Sequence, residues 1–301
     1  MTINANQRKA YLFGLLSVLL WSTVASAFKL SLQYLTPTQL LFYSVMASIV
    51  MLFMIIVKEK KLHLLSQYPR QVYFRASLLG ALNPFLYYLV LFKAYDLLPA
   101  QEAQPINYTW ALTLSYLSFF MLKQKLSIYD FLAGIICYFG VLVISTHGEL
   151  LSFQFSSTVG VMLAFLSTIL WAFYWIFNTK SRMDPVVGLF ISFVSGFILI
   201  SLYILFSPHV LIFNFYGFLG SIYVGFFEMG VTYVFWLKAM KLTTNSSKIA
   251  NLIFISPFVS LIFIHFLVGE SIYWSTFVGL ILIVAGLLVQ QKKIKKNTLN
   301  F

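Results

Sequence analysis

One apolar stretch of the chain carries an unusual number of hydrogen-bonding groups, in the sequence QEAQPINYTW at residues 101–110. On a helix, its polar and aromatic side chains share about half of the circumference with two serines further along. This stripe consists of Gln104, Asn107, Tyr108, Trp110, Ser115 and Ser118. Because an unsatisfied donor or acceptor costs on the order of several kcal/mol in hydrocarbon, the stripe must face protein or water. Two interpretations are open, hydrogen bonds that join helices or the wall of a polar cavity.

Two further stripes favour the cavity. One follows a later apolar segment at spacings of four, three and four residues and consists of Ser167, Trp171, Tyr174 and Asn178. The other lies in an earlier segment and consists of Gly80, Asn83 and Tyr87. Tryptophan, tyrosine and asparagine provide flat walls with single polar tips. Such a lining suits small zwitterions or aromatic metabolites better than ions. Tyr273 and Trp274 are instead interpreted as anchors at a membrane interface.

Two acids lie within apolar segments. Glu228 is about midway along GFFEMGVTYVFW (225–236), where a carboxyl group is costly unless it is paired, protonated or facing water. It could carry a proton, or it could be a neutral acid bonded to a neighbouring helix, with Thr232, Lys248 or Asn251 as candidate partners. Glu102 is harder to place because Pro105 follows it.

Prolines fall inside three apolar segments, at Pro84, Pro105 and Pro257. Each lacks a backbone N–H and clashes with the preceding turn, so each predicts a kink or a break. Broken helices occur in membranes where the freed backbone borders a cavity.

An enzymatic function is disfavoured. His63, His147, His209 and His265 are scattered, and the chain has no H-E-x-x-H, no G-x-S-x-G and no phosphate-binding loop. We therefore expect no catalytic residues, no metal and no cofactor. The single cysteine, Cys137, excludes an intramolecular disulfide.

The elements that position these residues are membrane helices. Of 301 residues, 60% are hydrophobic and only 9% charged, and the mean hydropathy is +0.89. Ten apolar segments are each long enough to cross a bilayer core as helix. They are 10–28, 38–57, 73–95, 102–121, 128–145, 158–178, 186–206, 216–238, 247–267 and 273–290. The first follows Arg8 and Lys9 and resembles a cleavable signal, but it has a counterpart in the second half of the chain and is counted as a span.

The net charge of +12 follows membrane topology. With ten spans and a cytoplasmic N-terminus, every lysine and arginine except Lys29 and Lys93 falls on the cytoplasmic side. We therefore expect no nucleic-acid partner and place both termini in the cytoplasm.

The two halves of the chain repeat each other. LTPTQLLFYS (35–44) matches MDPVVGLFIS (183–192), FKAYDL (92–97) matches LKAMKL (237–242), and Trp21 matches Trp171. LAGIICYFGVLV (132–143) matches FVGLILIVAGLLV (277–289). A five-helix unit used twice is inverted across the membrane, as in many secondary transporters. The predicted domains are a first repeat at 1–147, an inverted second repeat at 148–292 and a basic cytoplasmic tail at 293–301.

The whole chain resembles the drug/metabolite transporter (DMT) superfamily in its ten-helix EamA-type form. Three segments resemble its branch of aromatic and neutral amino-acid exporters of the bacterial inner membrane: LFGLLSVLLWSTVASAFKL (12–30), EAQPINYTW (102–110) and LAFLSTILWAFYWIFNTK (163–180). The resemblance implies a basket-like all-α fold of two inverted repeats around a central cavity, with Tyr87, Tyr108, Trp110 and Trp171 at aromatic cavity positions. The sequence departs from the branch at Ala111, where proline is usual, and from the superfamily at Lys125, where an acid is usual, whereas the repeat counterpart Glu270 is kept.

We therefore expect a secondary active or facilitative transporter that exports amino acids or similar small metabolites across the bacterial inner membrane by alternating access. The expected substrate lining is Trp21, Asn83, Tyr87, Asn107, Tyr108, Trp110, Trp171, Tyr174 and Asn178. Glu228 and Glu102 are the candidate proton-coupling groups. The alternatives are proton-driven efflux of drugs and cationic amphiphiles, and a membrane scaffold that does not transport. The expected partners are a small-molecule substrate, the lipid bilayer and protons, and the short loops favour a monomer.

Overall fold

The computed structural model describes residues 2–123, 127–150, 155–178, 181, 183–207, 211–243, 249 and 251–297. Within these ranges all regular secondary structure is helical. Seven continuous helical stretches of the described residues are long and apolar enough to cross a membrane. Two of them, Arg70–Leu97 and Phe215–Met240, combine several of the elements given below, and two shorter apolar stretches cover Leu252–Val268 and Trp274–Gln290. The prediction of an all-α membrane protein is confirmed.

The α-helices follow one another with few residues between them. They are α1 (Thr2–Leu32), α2 (Pro37–Lys58), α3 (Arg70–Gly80), α4 (Tyr87–Leu97), α5 (Ala100–Tyr108), α6 (Trp110–Leu122), α7 (Ile128–Ser145), α8 (Thr158–Asn178), α9 (Pro185–Leu205), α10 (Phe215–Tyr223), α11 (Val231–Leu242), α12 (Ser256–Phe263) and α13 (Trp274–Asn297). Short 3-10 helices cover Leu62–Ser66 and Asn251–Ile255, and π-helical segments cover Ala81–Leu86, Val224–Glu228 and Ile264–Val268. In their described residues, the ten apolar segments expected from the sequence largely coincide with helix. The third, fourth, eighth and ninth are each divided between helical elements, and residues 247, 248 and 250 of the ninth lie outside the described residues.

The chain folds as two compact units that do not follow its two halves. The first unit combines Met1–Phe92 with Ser181–Gly269, and the second combines Lys93–Lys180 with Glu270–Phe301. Each unit therefore takes helices from both predicted repeats. The repeat boundaries at 147 and 292 stay predictions, and of the predicted tail the structure describes only 293–297, which continue α13.

The matched segments of the two repeats begin their helices in the same way. Thr36 precedes Pro37 at the start of α2, and its side chain accepts the backbone N–H of Gln39. Asp184 precedes Pro185 at the start of α9 and accepts two backbone N–H groups. In both cases a capping side chain satisfies amides that the helix leaves unpaired, and proline takes the first helical position, where no N–H is needed.

An ion network in the first unit joins the end of α2 to the start of α9. Lys61 lies 2.8 Å from carboxylate oxygens of both Glu59 and Asp184, and Lys238 lies 3.5 Å from Glu59. Burial by itself would raise the pKa of Asp184, but the hydrogen bond from Lys61 and the capped amides outweigh burial and hold the pKa below its ordinary value. The ionised carboxylate therefore stabilises the start of α9.

Only one of the three segment-internal prolines breaks its helix as expected. Asn83 has extended backbone angles, φ −142° and ψ 115°, inside the π-helical segment that contains Pro84. Pro105, by contrast, lies within α5, and the break comes later, at Thr109 between α5 and α6. Pro257 takes an early position of α12, where it does not interrupt a hydrogen bond.

Glycine permits a close crossing of α7 and α13 in the second unit. A Cβ atom on Gly140 would lie 2.6 Å from the carbonyl oxygen of Gly279, and one on Gly279 would lie 2.5 Å from that of Gly140. Backbones that approach this closely exclude any side chain at both positions. These two glycines belong to the matched segments 132–143 and 277–289.

Candidate functional site

Three tryptophans form an aromatic cluster in the second compact unit, where α5 and α6 pack against α8. The ring of Trp110 lies 6.4 Å from that of Trp171 and 6.4 Å from that of Trp175, centroid to centroid. The planes of Trp110 and Trp175 differ by 17°, whereas those of Trp110 and Trp171 differ by 86°. Tyr174 stacks on Trp171 at 5.4 Å. The structure thus brings together three of the expected lining residues and adds Trp175 to them.

Hydrogen bonds hold the helices around this aromatic cluster. The amide nitrogen of Asn107 donates to the hydroxyl of Ser167 at 2.9 Å. Six residues after Asn107, on α6, the hydroxyl of Thr113 lies 3.0 Å from that of Thr168 on α8. These bonds fasten α5 and α6 to α8, so Asn107, an expected lining residue, also joins helices.

Two of the buried polar atoms on α5 and α8 that have no hydrogen-bond partner among the described residues concern the proposed lining. One is the indole Nε1 of Trp175, which can only donate, and the other is the side-chain oxygen of Gln104, which can only accept. Leaving a buried donor or acceptor unsatisfied costs about 1–3 kcal/mol. A bound molecule or water would have to satisfy both groups.

Tyr108 and Asn178 lie on the helices that carry the aromatic cluster. Tyr108 is the last residue of α5 and is half-buried. Asn178 ends α8, one turn beyond Tyr174, and is also half-buried. Their roles in the lining stay predictions.

The start of α5 is fixed by the segment that leads into α13. The carboxylate of Glu270 accepts both backbone N–H groups at the start of α5, at 2.7 and 3.2 Å. The side-chain nitrogen of Gln101 donates to the carbonyl of Ser271, and its oxygen accepts the N–H of Tyr273 and the hydroxyl of Thr276. Gln101 is thus fully engaged in positioning α5, and Glu270 supplies the negative charge that a helix N-terminus favours.

Glu102, the next residue of α5, belongs to a cluster of hydrogen-bonding side chains. Its carboxyl group is fully buried, and one oxygen lies 2.8 Å from Nε2 of His147 and accepts the hydroxyl of Ser156 at 2.7 Å. The Ser156 hydroxyl is also 3.1 Å from the same His147 nitrogen. The other carboxyl oxygen is buried and makes no hydrogen bond to the described residues. We call these three residues the outer acid cluster.

In the first compact unit, the helix break at Pro84 presents a buried amide. The side chain of Asn83 is 1% exposed, and neither its oxygen nor its nitrogen has a hydrogen-bond partner in the described part of the chain. Tyr87 lies one turn further along and is also buried. An unpaired amide can both donate to and accept from a ligand, so Asn83 remains a strong candidate for substrate contact.

Glu228 is paired with a residue that sequence reasoning missed. The hydroxyl of Tyr88 donates to Glu228 at 3.0 Å, with Tyr88 fully buried and Glu228 half-buried at the end of a π-helical segment. The proposed partner Thr232 instead donates to the carbonyl of Phe227. Of the other candidates, Lys248 and the side chain of Asn251 lie outside the described residues.

Trp21, the last expected lining residue, is part of a second aromatic cluster. Its ring lies 5.4 Å from that of Trp236 and 5.8 Å from that of Tyr233, both on α11. The repeat counterparts Trp21 and Trp171 thus each pack against a tryptophan and a tyrosine within their own unit.

Comparison with known proteins identifies the family. The model of the EamA-like transporter family matches the chain twice, at residues 8–146 and 158–290. Together the two matches cover most of the sequence. The chain belongs to the EamA-like transporter family.

Relatives of this EamA-like transporter agree with that assignment. An uncharacterized transporter of Clostridium kluyveri is 24% identical over 298 residues, which are 96% of this chain and 95% of the relative. A crystal structure with 21% identity aligns with a TM-score of 0.65 and covers 95% of this chain and 98% of the other. The second similarity concerns the fold alone. The EamA-like protein is thus a multi-pass membrane transporter with the ten-helix DMT fold, and membership of a transporter family points to transport rather than catalysis.

Some site residues were within reach of sequence reasoning and others were not. Trp175 lies four residues after Trp171 and so faces the same side of α8, a helical spacing that could have included it. Tyr88 follows Tyr87 and points about 100° away from it around the helix, so the stripe pattern excluded it. His147 and Ser156 lie in the connection between α7 and α8, where no periodicity applies.

Proposed function

We propose that this EamA-like transporter exports neutral and aromatic amino acids by alternating access. The observation that carries the proposal is the aromatic cluster of Trp110, Trp171, Tyr174 and Trp175, together with the unpaired indole N–H of Trp175. Indole and phenol faces accept an apolar or aromatic side chain, because stacked or edge-to-face pairs add about 0.5–1.5 kcal/mol beyond the burial of area.

The polar groups of the same unit suit the backbone of an amino acid. A zwitterion presents a carboxylate, which needs donors, and an ammonium group, which needs acceptors. The indole N–H of Trp175 is an unused donor, and the side-chain oxygen of Gln104 is an unused acceptor. We infer that these two atoms contact the carboxylate and the ammonium group of the substrate.

The first unit offers the same combination in one side chain. The amide of Asn83 holds an unused donor and an unused acceptor, and Tyr87 follows on the next turn. We infer that both contact substrate during the transport cycle. Trp21, Tyr108 and Asn178 complete the proposed lining.

Proton coupling and orientation belong to the same proposal. The distribution of lysine and arginine supports an orientation with both termini in the cytoplasm, and the proposed direction of transport is outward across a bacterial inner membrane. Glu228 is the proposed proton carrier, because its carboxyl group is half-buried and the donor that holds it among the described residues is neutral, the hydroxyl of Tyr88. Such a pairing is compatible with both the ionised and the protonated acid, since a phenol donates to either.

Efflux of cationic amphiphiles is less well supported. A cationic substrate would need an acid that it can reach, yet Glu102 is completely buried with one oxygen held by Ser156 and His147, and Glu228 accepts from Tyr88. The unused atoms of Trp175 and Gln104 are instead a neutral donor and a neutral acceptor.

Reconstitution of the purified protein in liposomes tests the proposal. We expect efflux of labelled tryptophan, phenylalanine and leucine, and little efflux of a quaternary amine dye. Trp110→Ala and Trp171→Ala should each abolish this flux without loss of folded protein. Trp274→Ala is the matched control, because Trp274 is 77% exposed and stacks only on a neighbour of its own helix, Phe277, among the ring contacts described.

The results distinguish between the two substrate classes and test the role of the tryptophan cluster. Flux of the dye without flux of amino acids would refute the amino-acid substrate in favour of cationic amphiphiles. Unchanged amino-acid flux in both variants would refute the assignment of the tryptophan cluster.

A further inference from the structure

The outer acid cluster contains two groups that cannot meet without a hydrogen atom between them. Nε2 of His147 and one carboxyl oxygen of Glu102 are 2.8 Å apart, a hydrogen-bond distance. An imidazole nitrogen without hydrogen and a carboxylate oxygen are both acceptors, so their lone pairs would repel. The pair therefore shares a proton, whichever of the two atoms holds it. The hydroxyl of Ser156 donates to the same carboxyl oxygen, so Ser156 does not supply that proton.

The outer acid cluster also has an unbalanced charge. When the imidazole is neutral with its hydrogen on Nε2, the cluster carries the single negative charge of a fully buried carboxylate. The second carboxyl oxygen has no partner among the described residues, so hydrogen bonds compensate this charge incompletely. One more proton makes the cluster neutral and removes the cost of burying a net charge.

Water can reach the cluster through His147. Its side chain is 33% exposed, whereas that of Glu102 is completely buried. His147 is thus the member of the cluster that can exchange protons with solvent.

Few other titratable groups face this cluster. Glu270 is close enough to Glu102 for an electrostatic interaction, but its oxygens accept the N–H groups at the start of α5. The ring of Tyr273 packs on His147 at 4.6 Å. Both groups come from the segment before α13, and neither brings a positive charge. The surroundings therefore favour uptake of a proton.

We propose that Glu102, His147 and Ser156 form a proton-binding site at the non-cytoplasmic end of the second unit, through which external acid stimulates export. The link to export rests on the proposed function and orientation, whereas the binding of the proton does not. The positive-inside distribution places the connection between α7 and α8 outside the cell. External protons would thus reach His147 directly.

The proton balance of this site is simple. A proton from external water binds the free nitrogen Nδ1 of His147, and the ring becomes an imidazolium cation beside the carboxylate. A shift of the Nε2 proton to Glu102 then gives a neutral imidazole and a neutral carboxylic acid. The reverse steps return the proton to water, and no other reactant is needed.

The site is connected to the substrate wall through α5. Glu102 lies on the same nine-residue helix as Asn107, which is bonded to Ser167 of α8. Ser156, just before α8, is bonded to Glu102. Both ends of α5 are thus fastened to α8 or to the connection before it. A change of charge at Glu102 alters its hydrogen bond with Ser156. The position of α5 relative to α8 should change as a result.

Infrared difference spectroscopy of the purified full chain, without substrate, tests proton binding. Acidification of the wild type should change carboxyl and imidazole bands together. We expect Glu102→Gln to remove a carboxyl contribution and shift an imidazole band, and His147→Gln to remove that imidazole band and shift the carboxyl contribution. His265→Gln, in the other compact unit and packed on Phe266, should leave the carboxyl contribution unchanged. Bands that change independently in the two cluster variants would overturn the proposal.

Liposome efflux tests the link to transport. In the wild type, external acid should stimulate amino-acid efflux over exchange at equal pH on both sides. Glu102→Gln and His147→Gln should keep exchange at equal pH but lose the stimulation, and Ser156→Ala should reduce it. His265→Gln should keep it. Full stimulation in both cluster variants would overturn the proposed link.

The infrared and the liposome experiments distinguish failure of the proton-binding site from failure of the amino-acid function. If the wild type carries no amino acid, the proposed function fails, and the spectra still decide whether the proton site exists. If Glu102→Gln does not fold, His147→Gln tests the same points, the infrared bands and the stimulation of efflux. The side chain of His147 is partly exposed, so its replacement perturbs the fold less.

Discussion

The most specific consequence of the proposed substrate contact concerns a single hydrogen atom. Trp175→Phe keeps an aromatic ring beside Trp110 and Trp171 but removes the indole N–H, which has no partner among the described residues. If that N–H donates to the carboxylate of the substrate, the variant loses one hydrogen bond to a charged group, about 1.5–3 kcal/mol. The dissociation constant for an amino acid should therefore rise about 10- to 150-fold.

The folded protein without substrate should respond differently. The substitution removes a buried unsatisfied donor, which favours the variant by about 1–3 kcal/mol. It also removes part of the ring packing of a half-buried side chain, which disfavours the variant by a comparable amount. We therefore expect a nearly unchanged unfolding temperature together with a large loss of affinity.

Binding of tryptophan and of tryptamine to the purified protein measures the effect. Tryptamine has the same ring and amino group but no carboxylate, so a hydrogen bond to the carboxylate predicts a large loss for tryptophan and a small one for tryptamine. Trp274→Phe, at the exposed ring, is the control and should change neither. Equal losses for the two ligands would show that Trp175 contributes only packing. A markedly lower unfolding temperature would show that the N–H has a partner within the protein.

Three further predictions concern coupling and stability. Glu228→Gln can still accept the tyrosine hydroxyl, so amino-acid exchange at equal pH should persist while the effect of a proton gradient on flux disappears; a variant still driven by the gradient would make this residue structural. Gly140→Val places a side chain against the carbonyl of Gly279 and should destabilise the fold by about 1–3 kcal/mol or more, seen as a lower unfolding temperature. Gly188→Ala, with its nearest neighbour atom at 3.5 Å, should be nearly neutral. Asp184→Asn keeps the helix cap but loses the ion pair. Because the pKa of Asp184 is lowered in the folded state, its stabilisation is complete above the ordinary aspartate value of about 3.9 and is lost as the pH falls through the folded-state value. The difference in unfolding temperature between wild type and variant should thus be largest near neutral pH and vanish in acid, and a constant difference would contradict the argument.

The sequence by itself determined the kind of structural element. The apolar segments are long and nearly free of charge, and the cost of exposing backbone in hydrocarbon leaves helix as the only outcome for them. The starts of two helices were also determined by neighbouring residues in the sequence. Thr36 with Pro37, and Asp184 with Pro185, cap the helices that the repeated motif predicted. Helical spacing was enough to bring Trp171 and Tyr174 to one face.

Other features depended on the tertiary structure. The sequence predicted a kink or a break at Pro105, but α5 continues through Pro105 and ends at Tyr108, before Thr109. The start of α5 is capped by Glu270, a contact between distant residues that sequence spacing does not reveal. The compact units cross the boundary between the repeats, since each unit is defined by which helices pack together and not by their order in the chain.

The partners of the two buried acids show the difference most clearly. Glu102 meets His147 across 45 residues of chain, and Glu228 meets Tyr88 across 140. Hydropathy and helical periodicity are sums over near neighbours, so they identified both acids as costly and could not say what offsets the cost. That is decided by which side chains packing brings within hydrogen-bond distance. In this transporter the sequence identified the two acids. Only the tertiary structure placed His147 beside Glu102 and Tyr88 beside Glu228.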